Sequence, residues 1–287
     1  MTARSARVLW PASGALGSRA VTGVAALIVA ALLFGLAGCT GRVQVGPLQT
    51  ETRSVELGGA RSVEARITMG AGELNITGGS DKMLDAEFRY NVAEWKPQVS
   101  YTVTGDLGTL SVEQTRTGKV SLAEDVQNEW DLRLGEGMSL NLAVDLGAGH
   151  GTLELGTLSL GSLDISAGAG ELEIDLTGAP SVTKISMKIG AGSVRMDLTG
   201  EWKANLDATI QGGIGSTTLR LPEDVGVRVT VKRGFGSINA EGFIRDGEAY
   251  VNEAFGSSKV TLFINIQTGL GEINLEQGSP IEENGYG

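Results

Sequence analysis

Gly168-Ala-Gly-Glu-Leu-Glu-Ile-Asp-Leu-Thr-Gly178 is followed, after Ala-Pro-Ser-Val-Thr-Lys-Ile-Ser-Met-Lys-Ile, by Gly190-Ala-Gly-Ser-Val-Arg-Met-Asp-Leu-Thr-Gly200. Counted from the second glycine, the odd offsets hold Glu171, Glu173 and Asp175, then Ser193, Arg195 and Asp197. The even offsets hold Leu172, Ile174 and Leu176, then Val194, Met196 and Leu198. Successive side chains of a strand point to opposite faces, so this alternation predicts half-buried strands.

The motif recurs along the chain. Its second glycines are Gly72, Gly149, Gly170, Gly192, Gly215, Gly236 and Gly271, and Gly256 follows Ala-Phe in place of Gly-x. From Gly149 to Gly256 the steps are 21, 22, 23, 21 and 20 residues. A fixed period in this range marks a stacked-repeat architecture. Propeller blades need about 40–45 residues, and a unit half that length suits one rung of a solenoid. The expected fold is all-β: a right-handed parallel β-helix-like solenoid of roughly ten rungs. Each rung would carry two or three short strands, with Gly-x-Gly and Thr-Gly or Pro at the corners. The even-offset side chains would fill the coil, and the end rungs would need caps.

Ahead of the repeats lies a different composition. Residues 1–38 contain Arg4, Arg7 and Arg19 and no acidic residue, and Val21–Leu36 is almost wholly apolar. A basic start, an apolar stretch and small residues before a cleavage point predict a secretory signal. Leu36-Ala37-Gly38-Cys39 resembles the bacterial lipoprotein lipobox. That resemblance implies cleavage before Cys39, diacylglycerol on its thiol, and a protein held on the extracytoplasmic face of a cell membrane. Cys39 is the only cysteine, which excludes a disulfide within the chain. Cleavage would take the net charge from −11 to −14. Such acidity argues against nucleic acid and polyanionic sugars as partners.

The remaining boundaries follow the pattern. Residues 39–54 read as a polar tether, 55–136 as an N-terminal β domain, 137–277 as the glycine-motif repeats and 278–287 as a frayed tail. Within 55–136, Phe88, Tyr90, Trp95 and Tyr101 form the densest aromatic run. They would cap one end of the solenoid, or form a platform for sugar or peptide. Thr115–Glu136 breaks the alternation and reads as a surface excursion.

Ile67-Thr-Met-Gly-Ala-Gly-Glu-Leu-Asn-Ile-Thr-Gly-Gly79, then Glu87-Phe-Arg-Tyr-Asn-Val92, Trp95-Lys-Pro-Gln-Val-Ser-Tyr101 and Leu110-Ser-Val-Glu-Gln114 resemble the N-terminal domain of the toast-rack family. The repeats beyond are similar to LiaF-type and adhesin-like domains. The resemblance implies a bacterial envelope protein of β-solenoid form with no catalytic residues to carry over. Some LiaF-type relatives restrain a sensor kinase in envelope stress.

Other chemistries find little footing. A dinucleotide fingerprint needs a third glycine and a following helix; here Glu171-Leu172-Glu173 and a strand follow. Calcium β-rolls need aspartate where Leu74, Leu172 and Val194 stand. At the fifth offset stand Glu154, Asp175, Asp197, Arg220, Glu241 and Glu276. Rungs about 4.8 Å apart would align Glu154, Asp175 and Asp197 as a carboxylate ladder. Such a ladder could be a weak cation site, a glycosidase pair or a solvated face. His150 is the only histidine and reads as an exposed corner residue. No cofactor is implied. The expected function is non-enzymatic: a lipid-anchored envelope protein presenting its solenoid to another envelope protein, in stress sensing or signalling. The alternatives are a carbohydrate-binding or carbohydrate-cleaving β-helix and a structural spacer or adhesin.

Overall fold

The computed structural model describes residues 44–115, 125–177 and 181–278. Among these, the only helix is the 3-10 turn Ala93–Trp95; fourteen strands make up one unclosed sheet. The repeat strands are β2 (Ser62–Ser80), β7 (Ser139–Glu154), β8 (Leu160–Asp175), β9 (Lys184–Asp197), β10 (Leu206–Pro222), β11 (Gly226–Asn239) and β14 (Thr261–Gly278). Each is one long strand bent at its Gly-x-Gly. The two halves of each strand enclose the core with inward-facing residues such as Ile165 and Met187 before the bend, and Leu172 and Val194 after it. A return loop completes the coil and adds buried apolar residues: Leu155 and Leu158, Leu176 and Val182, Leu198 and Trp202. The loops stack as the strands do, through Leu155 N–H to Asp175 O, Leu176 N–H to Asp197 O and Leu198 N–H to Arg220 O.

The bends explain the glycines. Gly192 has φ +137°, and a Cβ there would overlap the Gly170 carbonyl oxygen of the rung beside it. The same collision recurs from Gly149 through Gly271, because consecutive second glycines pair in register. Only glycine satisfies both the backbone angle and the close approach.

The structure departs from the sequence expectation in several places. There are seven bent rungs among the described residues rather than about ten, because one long strand plus a loop makes a coil. Gly256 belongs to no rung; it lies outside any strand, in a turn with φ +86°. The rungs also do not stack in chain order. β14 runs between β10 and β11, with Gly271 aligned to Gly215 on one side and Gly236 on the other. Lastly, residues 45–54, expected as tether, lie in β1 (Val45–Val55), which pairs antiparallel with β3 (Leu84–Val92).

The N-terminal end is closed by a wrap. The outer edge of β2 pairs with β5 (Leu107–Gln114) before the bend and with β6 (Asn128–Gly135) after it. β4 (Pro97–Thr104) flanks β5, and β3 flanks β6. The expected surface excursion therefore contains a sheet strand at 128–135, whose Trp130 and Leu132 are buried. Trp130, Leu132 and Leu134 alternate as in any half-buried strand; the pattern is disguised by polar Asn128, which is buried on the same face. At the other end, β13 (Ala249–Val251) covers part of the first half of β11, and β12 (Ile244–Asp246) covers β13.

Candidate interaction surface

Four features of the solenoid bear on function: the bend, the acidic outer face, the aromatic cluster and the apolar corner residues. Along the bend runs an open groove of about 1060 Å³. Its floor is the row Gly70, Gly147, Gly168, Gly190 and Gly213, and Trp95 and Gln114 stand at its N-terminal end. Asp145, Ser166, Lys188 and Gln211 line its flank. Its walls come from five successive rungs, so its length follows from the period alone. Between the flanking polar groups stand Leu146, Ala167 and Ile189, so the groove offers apolar contact as well as backbone and polar groups.

Gln114 and Asn128 finish the groove where the wrap replaces a rung. The Gly70 N–H donates to Gln114 Oε1 at 2.8 Å, and Asn128 Nδ2 donates to the Ala71 carbonyl at 2.6 Å. Trp130 Nε1 donates to Asn128 Oδ1 at 3.1 Å, and its ring meets Phe88 edge-on at 5.3 Å. These side chains satisfy backbone groups that a neighbouring bend would otherwise pair.

The aromatic platform does not form. Trp130, Phe88, Tyr90 and Trp95 are buried, and Tyr101 is half-buried with its hydroxyl donating to the Leu57 carbonyl at 2.8 Å. Burial pushes the Tyr101 pKa up. Burial also raises that of Tyr90, with the Glu51 carboxylate beside it acting in the same direction. Burial by itself would raise Glu51, yet Lys96, Arg53 and Tyr90 together hold its carboxyl below the usual range. The aromatics are the core of the wrap, the capping role that the sequence allowed, and the sugar platform loses the exposed rings it needed.

The carboxylate row aligns as its spacing predicted: Glu154 pairs in register with Asp175, and Asp175 with Asp197. Each aspartate, however, serves its own strand end. Asp175 Oδ1 accepts from Thr177 N–H at 2.8 Å, and Asp197 Oδ1 accepts from Thr199 N–H and Oγ1 at 2.8 and 2.6 Å. Arg220 Nη1 reaches Asp197 Oδ2 at 3.1 Å. Among the described residues no group of three His, Cys, Asp or Glu side chains could hold a metal ion. Glu241 leaves the row, since β11 ends at Asn239. His150 directly follows the bend glycine Gly149 and opens the second half of β7, between Glu73 and Glu171 in register; its Nδ1 lies 3.8 Å from Glu171 Oε2. Leu36, Ala37, Gly38 and Cys39 lie outside the described residues. No helix among the described residues is long and apolar enough to cross a membrane.

One feature went unnoticed in the sequence. The middle residue of the motif is alanine in β2, β7, β8 and β9, but Ile214 in β10, Leu270 in β14 and Phe235 in β11. These three stand in register on the outer corner, 61%, 51% and 79% exposed. Comparing the x of each Gly-x-Gly would have found them.

The chain matches the N-terminal domain of toast_rack, DUF2154, over residues 44–182 and 179–220. It is similar to the crystal structure of a candidate cell adhesion protein from Clostridium sporogenes, at 31% identity and TM-score 0.64, covering 81% of this chain and 100% of that one. A candidate adhesin from Bacteroides fragilis is matched at 12% identity and TM-score 0.28 over 80% of this chain and 97% of that one, too distant to bear on function. No curated protein matches the chain.

Proposed function

The chain belongs to the toast-rack family, and from that premise we propose that it is a non-catalytic protein of the bacterial cell surface. It is held by lipid on Cys39 and offers the bend of its solenoid to another envelope protein. The observation that carries this reading is the five-rung groove, whose floor is glycine backbone and whose flanks alternate polar Asp145, Ser166, Lys188 and Gln211 with apolar Leu146, Ala167 and Ile189. It is a surface for an extended contact: Asp145, Ser166 and Lys188 stand in register on three neighbouring rungs, but among the described residues no hydrogen bond links Ser166 to a base, as nucleophilic catalysis needs. The 31%-identical cell adhesion relative, aligned over its whole length, supports a surface role. The contact itself is proposed to be with a membrane partner in envelope stress sensing or signalling. Nucleic acid is not among the proposed partners, since the net charge is −11 and polyanion binding needs a basic surface.

The experiment is site-specific photocrosslinking in growing cells, with the crosslinker at Lys188 in the groove and at Glu173 on the outer face as control. A discrete membrane-protein adduct from Lys188 alone is the expected result. Adducts equal at both sites, or none at either, would overturn the groove assignment. In the same cells an alkyne fatty acid should label the protein, and Cys39→Ser should abolish the label. An unlabelled wild-type protein would overturn the anchor.

A further inference from the structure

The exposed corner residues Ile214, Leu270 and Phe235 need a partner surface of their own. They form a continuous apolar ridge across the last three rungs, on the outside of the bend. The bend's other four rungs carry only alanine there. Contiguous exposed side chains of this size mark contact sites more often than single ones do.

The ridge is flanked asymmetrically. On the side before the bend stand Lys232 and Arg233 of β11, both exposed. On the side after it stands Glu272 of β14, also exposed and one residue beyond Gly271. None of the three forms an ion pair with another described residue. The neighbouring backbone edge is meanwhile shut: Arg233 Nη1 donates to the Gly236 carbonyl. That carbonyl is the one at which a further rung would start, because each earlier rung's glycine meets the same oxygen of its neighbour. Growth by strand addition is thereby blocked, while the ridge stays open.

We infer that the ridge is a self-association surface, and that two copies of this chain pack ridge on ridge about a two-fold axis parallel to the row Ile214–Leu270–Phe235. Only that axis sets the Lys232/Arg233 flank of each copy over the Glu272 flank of the other. A two-fold axis across the row would place like charges together. The contact is isologous and closes at two copies. Three side chains bury far less than the roughly 800 Å² per partner of a standard interface, so the dimer is weak and concentration-dependent. Confinement to a membrane surface would favour it.

Sedimentation velocity of the full chain in mild detergent, over a hundredfold concentration range, tests this. The expected result is a monomer–dimer equilibrium. Phe235→Ser should weaken it at least tenfold with the melting temperature unchanged. Lys232→Glu, which leaves Arg233 over the Gly236 carbonyl, and Glu272→Lys should each give monomers, and mixing these two variants should restore the dimer. A chain that stays monomeric throughout overturns the proposal. So does a dimer indifferent to Phe235→Ser, or a failure of the mixture to recover. Flotation of a monomer with phosphatidylglycerol vesicles, lost in Phe235→Ser, would reassign the ridge to lipid and equally overturn it.

Discussion

The two ends of the solenoid solve the same problem in opposite ways. At the N-terminal end, β5 and β6 cover both halves of β2, and Gln114, Asn128 and Trp130 stand in for the missing bend. At the C-terminal end, β13 covers only Arg228–Thr230, and Lys232–Asn239, paired with β14 on its inner edge, has no strand on its outer edge among the described residues. Its protection is a single arginine over one carbonyl. Both ends use a buried asparagine. Asn252 accepts from Val227 N–H at 2.9 Å and donates to the Val225 carbonyl at 2.7 Å, pinning the β10–β11 turn. The first end is therefore a finished cap built of core, and the second is a surface left available. Repeat proteins need polar, closed ends for solubility, so an end that keeps Phe235 exposed is one where contact is the better explanation.

The largest effect expected comes from removing residues 261–287. In a solenoid stacked in chain order this would take away one end rung. Here it removes the partner of both β10 and β11. Amide exchange protection across Gly226–Asn239 should fall to that of a free peptide, while β7–β9 keep theirs. Retained protection in β11 would contradict the inserted position of β14.

Gly192→Ala comes next. It places a methyl group against the Gly170 carbonyl at a backbone angle that alanine avoids. The cost should be about 3–5 kcal/mol, at the top of the range for single substitutions, read from urea unfolding. A loss of only about 1–2 kcal/mol, the cost of the left-handed backbone alone, would mean that the ladder yields more easily than its geometry indicates.

Trp130→Ala tests the finished end. Removing a fully buried indole should cost about 3–5 kcal/mol, and it strips Asn128 of a hydrogen bond. Phe235→Ala at the open end should change the stability of the monomer by less than about 0.5 kcal/mol. If the two losses were equal, the contrast between the ends would collapse.

The smallest effect is one of pH. Asp85 accepts from Ser54 Oγ at 2.5 Å and Ser80 Oγ at 2.8 Å, which holds its carboxyl below the usual aspartate range and ties β1 to the wrap. A depressed folded pKa stabilises above the unfolded value, about 3.9, and that stability is lost as pH falls through the folded one. Melting temperature should therefore drop on acidification below that point, and Asp85→Asn should flatten the drop. An identical pH profile in the variant would remove Asp85 as the cause.

Much of this was legible in the chain itself. The alternation in Glu171–Leu176 and Ser193–Leu198, and the steps of 21 to 23 residues from Gly149 to Gly215, were enough for an all-β stacked repeat. Local patterning carries that information because side-chain direction alternates along a strand whatever lies beside it. The row Glu154–Asp175–Asp197 could likewise be aligned by counting. What those carboxylates do could not, since Thr177 and Thr199 compete for them through local turns that spacing does not reveal. Asn128 and Trp130 read as surface because a buried polar side chain looks exposed until its partners, here Ala71 and Gln114, are known.

From the sequence alone came the strand period, the repeat length and the need for glycine at each bend, all of them properties of a segment and its own backbone. Only the tertiary structure decided the order of the rungs and the nature of the ends. The seven Gly-x-Gly bends are nearly interchangeable as neighbours, so nothing local says that Gly271 belongs between Gly215 and Gly236. That choice depends on which edges β13 and the Asn252 turn leave free, and free edges are a property of the assembled sheet.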